Sequence, residues 1–151
     1  EYYEWAKSVS GVGDARVQSL WNGPGTVKVI IVDANMQVAP ASLIQSVADY
    51  IETVRPIGAT VTVVSPTPIP VTITAKISGT LDKEQFLKDV NAYIAGKGMD
   101  LRSLSYARCI DILLNQTTVA DCADVRLNGK ELIECSADEM IRAEEVEVDE
   151  L

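Results

Sequence analysis

At 151 residues, with 47% hydrophobic and 23% charged side chains, the chain can build one sizeable core or a domain with an appendage. A net charge of −9 disfavours nucleic acid as a partner, and the absence of histidine excludes the usual serine and cysteine triads. No apolar stretch approaches the ~18 residues of a membrane span, no signal peptide opens the chain, and a first residue Glu1 marks a piece of a longer polypeptide.

Residues 1–7, "EYYEWAK", read as the end of a helix packed through Tyr2, Tyr3 and Trp5. "ARVQSLW" and "TVKVIIVD" read as an antiparallel pair joined by a turn at Asn22-Gly23-Pro24-Gly25, with glycines free to take positive φ and proline fixing its own. A phosphate loop is the competing reading of this stretch. It needs a Gly-Lys-Ser/Thr ending and a following helix, and the sequence has neither. The earlier "GVGDAR" places Arg16 where a dinucleotide loop needs its third glycine. Asp33 and Asn35 fit a local turn, because the glycine and glutamate of a calcium loop are replaced by Val38 and Ile44.

Residues 40–54 carry a helical stripe of Leu43, Ile44, Val47, Ala48, Ile51 and Val54, starting at Pro40 and stopped by Arg55-Pro56. The chain then turns at Gly58 into the strand "TVTVV", and Pro66, Pro68 and Pro70 make an extended elbow. "VTITAKIS" alternates strictly, with Val71, Ile73, Ala75 and Ile77 on one side, which predicts a sheet with one solvated face. A helix over about 82–95 follows, with Asp82 and Gln85 as a capping box, Phe86, Leu87, Val90, Tyr93 and Ile94 inward, and Gly96-Lys97-Gly98 as its stop. Ser103 is expected to cap another helix with Leu104, Ala107, Ile110, Leu113 and Leu114 inward. "DVRLNGKELIE" reads as a hairpin about Asn128-Gly129. The order of helices and hairpins defines an α+β fold, with about three helices on antiparallel or mixed sheets. It is divided at 1–79 and 80–151 or continuous through both.

Residues 131–151 hold nine carboxylates against Arg142 alone, so this end carries −8 and the first 130 residues −1. In "EEVEVDE" alternation sets Val146 and Val148 on one face and Glu145, Glu147 and Asp149 on the other. Those three carboxylates are the candidate interaction surface, against the plainer reading of a solvated edge. Cys109, Cys122 and Cys135 are too widely spaced for a zinc site, and fit buried free thiols in a reducing compartment. No catalytic, cofactor or metal residues are assigned.

The run from "YYEWAKSVSGVG" through "GPGTV", "APASLIQSV" and "VRPIGATVTVVSP" to the alternating strand resembles the C-terminal part of the baseplate J-like proteins of contractile-tailed phages and prophages. The resemblance is close over residues 2–79 and continues beyond by layout. It implies a non-enzymatic wedge component of a tail baseplate, assembled in the bacterial cytoplasm and packed against other baseplate proteins, with homo-oligomers allowed. Trp21, Gly23, Pro24, Gly25, Arg55, Pro56 and Gly58 then have roles in the fold. The alternative is a receptor- or carbohydrate-binding module, which would need aromatics lining a groove.

Overall fold

The computed structural model describes residues 1–151 and divides into two units, each with its own apolar core. Unit 1 is Glu1–Thr67 together with Gly98–Asp100 and Ala137–Glu139, and unit 2 is the remainder. The division falls at Thr67/Pro68, ahead of the alternating strand.

Unit 1 contains α1 (Tyr2–Ser8), β1 (Val12–Ser19), β2 (Thr26–Asp33), α2 (Ala41–Val54) and β3 (Thr60–Val64), with strand order β1-β2-β3. β1 and β2 are antiparallel, from Val12↔Asp33 to Ser19↔Val27. β3 instead runs parallel to β2, with Thr26↔Thr60 and Ile30↔Val64. A parallel pair cannot be closed by a tight turn, and α2 is the crossover it requires. Pro40 caps α2 from just outside, so the helix begins at Ala41, one residue later than the stripe implies.

Register decides what each face of this sheet meets. Ala15, Val17, Val29 and Ile31 pack with Val47 and Ile51 of α2 and Ala6 of α1, forming the unit's core. The opposite face carries Asp14, Arg16, Gln18, Lys28, Ile30 and Val32, since paired residues point the same way. It holds the two short stretches that return to unit 1. The Arg16 guanidinium donates through Nε to the Met99 carbonyl at 2.9 Å and through Nη1 to the Ala137 carbonyl and, at 3.3 Å, that of Glu139. Asp14 accepts from the Met99 N–H at 2.6 Å, and Lys28 pairs with Asp138 at 3.0 Å. β2 is therefore covered on both faces, with Val29, Ile30, Ile31 and Val32 all fully buried. That is why "VIIV" is a continuous apolar run rather than an alternating one.

Unit 2 contains β4 (Thr67–Gly79), α3 (Lys83–Lys97), β5 (Ser103–Ser105), α4 (Tyr106–Leu114), β6 (Val119–Leu127), β7 (Leu132–Glu134) and β8 (Glu139–Glu150). Its main sheet has the order β6-β4-β8, and β5 pairs with β7 in a second, two-stranded sheet. Val71, Ile73, Ala75 and Ile77 of β4 point into the core as alternation predicts, against Phe86, Val90 and Ile94 of α3 and Leu113 of α4. Pro68 and Pro70 lie inside β4 rather than in an elbow before it. They are tolerated because β6 pairs only from Ile73 onward, so no ladder donor is missing there.

Four expectations shift. Gln85 N–H bonds Asp82 Oδ1 at 3.1 Å, but the Gln85 side chain turns to Asp89, leaving half a capping box. α3 runs through Gly96 and Lys97 and stops at Gly98, whose φ is +68°. Ser105 rather than Ser103 caps α4, because Ser103 belongs to β5. The inward face of α4 is accordingly Cys109 and Leu113, with Ile110 half-buried against the same core and Ala107 and Leu114 exposed. Asn128 and Gly129 do form a two-residue turn, with φ of +50° and +77° and reciprocal Leu127–Lys130 backbone bonds. The chain beyond it leaves as β7 to pair with β5 instead of completing the hairpin.

Candidate interaction surfaces

The turn Asn22-Gly23-Pro24-Gly25 consumes the groups that a phosphate would need. The Thr26 hydroxyl donates to the Gly23 carbonyl at 2.7 Å and accepts from the Asn22 N–H at 3.1 Å. Gly23 and Gly25 have φ of +97° and +75°. Gly25 also sits against the Arg55–Gly58 turn: its carbonyl accepts from Thr60 N–H at 2.8 Å. A Cβ on Gly25 would lie 3.3 Å from the Gly58 oxygen. Pro56 follows the last residue of the α2 cap, Arg55, which is extended at ψ 153° and held to Glu52 at 2.9 Å. These turns bring the exposed Leu20, Trp21 and Ile57 to one end of the sheet. The Trp21 ring is covered by the Lys28 ammonium at 4.1 Å, so it is not a free stacking platform.

Of the other aromatics, Tyr2 and Trp5 meet edge-on at 5.1 Å and Phe86 is fully buried, whereas Tyr3 and Tyr50 are exposed. In unit 2 an open pocket of about 470 Å³ has Tyr93, Ser103, Ser105, Arg108 and Asp111 in its lining. Its charged groups satisfy each other, with Arg108 stacked on Tyr93 at 4.6 Å and bonded to Asp111 at 3.2 Å.

Of the carboxylates with shifted proton affinity, Glu52 is lowered by its hydrogen bond from Arg55, and Asp89 by amide donors from Gln116 and Gln85. A general acid needs a shift in the other direction. Asp33 caps its own turn, accepting from Asn35 and Gln37 N–H at 2.9 Å each. The three cysteines are unpaired, and burial pushes the Cys109 thiol up to about 12. No three His, Cys, Asp or Glu side chains gather as metal ligands, and no helix is long and apolar enough to cross a membrane.

The acidic end forms β8, an edge strand of the unit 2 sheet. Glu145, Glu147 and Asp149 are exposed, Val146 is buried and Val148 half-buried. The inward positions change phase between Ala143 and Val146, leaving Glu144 and Glu145 both outside. On the open side of the strand, the Asn91 amide donates to the Ala143 carbonyl and accepts from its N–H, both at 2.9 Å. Asn91 thus occupies the backbone groups that another strand would use. Neither this plug nor the Arg16 cluster was found by reading the sequence, because their partners lie 52 to 123 residues away.

Residues 1–65 match the model of the Baseplate J-like central domain. It is 51% identical over 71 residues to the phage-like element PBSX protein XkdT of Bacillus subtilis (strain 168). It is 46% identical over 71 residues to the uncharacterized protein YqbT of the same strain. In each case the match spans 42% of this chain and 20% of the relative's length. Among solved structures, a chain of the anti-feeding prophage baseplate superposes with a TM-score of 0.71 at 13% identity. That match covers 95% of this chain and 36% of the other, so the α+β fold is shared beyond the segment where sequence similarity is found.

Proposed function

We propose that this chain is a structural component of the baseplate of a contractile phage or prophage tail, acting by packing against other baseplate proteins rather than by catalysis. The observation that carries the reading is the Baseplate J-like central domain in residues 1–65. The baseplate fold over both units supports it. Its polar groups also serve the fold: the turn hydroxyl, the Arg16 cluster and the carboxylate caps are all engaged internally. On this reading the protein is made in the bacterial cytoplasm and ends at the tail tip. Glu145, Glu147 and Asp149 form a contact with a basic neighbour there.

The test is direct. In a strain producing contractile tail particles, an epitope tag carried on this chain should co-purify with intact tails and be seen by immunoelectron microscopy at the tip. Tails that assemble normally when this segment is deleted would refute the role.

A further inference from the structure

The unit 1 sheet ends on an edge with none of the usual guards. β3 reads Thr60-Val61-Thr62-Val63-Val64, without charge, proline or glycine, and β2 is its only strand neighbour. Thr60 N–H bonds the Gly25 carbonyl on the β2 side at 2.8 Å. Alternation along the strand then turns the N–H and C=O of Thr60, Thr62 and Val64 toward β2, and those of Val61 and Val63 away from it. The edge is short. At one end Ala59 N–H is donated to the Pro56 carbonyl at 3.4 Å, and at the other the strand stops at Val64, before Ser65-Pro66. What stays open is the backbone of Val61 and Val63, placed symmetrically about Thr62. Edges that remain in solvent carry charges, prolines, bulges or a covering group. β8 of the same chain has both carboxylates and the Asn91 plug.

We propose that β3 pairs antiparallel with β3 of a second copy of this chain, about a two-fold axis through Thr62. In that register Val61 lies opposite Val63 of the second copy, and both residues point their backbone groups across the interface. The two Val pairs then each exchange two N–H···O=C bonds. Centring the axis on Val61 would bring in Ala59, whose N–H is taken, and centring it on Val63 would bring in Ser65, beyond the end of the strand. A two-fold interface is isologous, so the edge must be its own complement. This one is, because no like charges face each other anywhere along it. Val61 and Val63 already pack against the unit 1 core, so pairing extends that apolar face. Thr62 meets Thr62 of the second copy, a favourable cross-strand pair.

Sedimentation equilibrium on the 151-residue chain should show a reversible dimer. Thr62→Glu and Thr62→Lys each set like charges face to face across the axis, and each should weaken the dimer roughly severalfold. An equimolar mixture of the two should restore it, because only the hetero-pair brings opposite charges together. Val63→Pro removes an outward donor without taking a bond from the β2 ladder. It should also weaken the dimer while keeping the thermal melt, and so covers the case in which Thr62→Lys misfolds beside Lys28, its neighbour in register. A wild-type chain that stays monomeric at all attainable concentrations would overturn the pairing, as would a dimer indifferent to these substitutions. Either result leaves the baseplate reading standing, because that rests on tail incorporation.

Discussion

The two main sheets expose their edges in opposite ways. The sheet of unit 1 covers its middle strand on both faces and ends on β3, which is uncharged and β-branched. The sheet of unit 2 has an alternating middle strand and ends on β8, with six carboxylates against Arg142 and with Asn91 on its open side. An edge that must stay unpaired is written with charge, and an edge left plain needs something to pair with. The difference teaches that the acidic end is explained first as protection of a long edge strand. Its use as a contact is a separate claim and needs its own test.

The comparison breaks first if β2 is not the doubly covered strand described. Ile31 is fully buried, and Ile31→Ala should cost about 3–4 kcal/mol by urea denaturation, the usual range for emptying a packed core site. A loss below ~1 kcal/mol would mean that the site is loosely covered. The polar face comes next. Arg16→Met keeps much of the side-chain volume but leaves the carbonyls of Met99, Ala137 and Glu139 without this donor. It should cost about 2–3 kcal/mol, the scale of charge-assisted bonds. It should also speed hydrogen exchange of Met99 N–H, which Asp14 holds from the same face.

Much of this was legible in the sequence. The β1–β2 hairpin follows from local turn chemistry at Asn22–Gly25, and the face of β4 follows from strict alternation. What was illegible depends on distant partners. The parallel pairing of β3 needs the α2 crossover, and Arg16 looks like an ordinary surface cation until residues 99, 137 and 139 return to it. The Asn128-Gly129 turn misled for the same reason, since a turn fixes only itself and β5 claimed the next strand. Of the proposed contact residues, exposure could be read from the pattern in "EEVEVDE", whereas the Asn91 plug beside them could not.

Smaller effects sharpen the contrast. Gly58 has φ of +92° with open space where a Cβ would go, so Gly58→Val tests backbone conformation without a clash. It should cost about 2 kcal/mol because a β-branched residue is strained there, and an unchanged urea midpoint would remove the turn from the argument. Asn91→Leu unplugs the β8 edge at Ala143. Losing both amide bonds should cost about 1–2 kcal/mol. The exposed backbone should also make the variant more prone to self-association at high salt, where the carboxylates no longer repel. Light scattering in 1 M salt measures that, and a variant as monodisperse as wild type would show that the charges alone are not what the plug supplements.

The smallest expected effect on stability carries the largest consequence for function. Glu145, Glu147 and Asp149 project from one side of β8 at two-residue intervals, which sets neighbouring carboxylates roughly 7 Å apart along the strand. At that spacing in water each adjacent pair repels by about 0.6 kcal/mol, and physiological salt screens more than half of it. Converting all three to Gln, Gln and Asn should therefore change stability by less than ~0.5 kcal/mol, with a slight gain at low salt that vanishes at high salt. If the row is only a guard, tails should incorporate the triple variant at the wild-type level. If it also meets a basic neighbour, several exposed pairs lost together should lower incorporation, and wild-type incorporation should itself fall as salt rises. The expected result is reduced incorporation with folding intact. Normal incorporation would leave β8 as a guarded edge and nothing more.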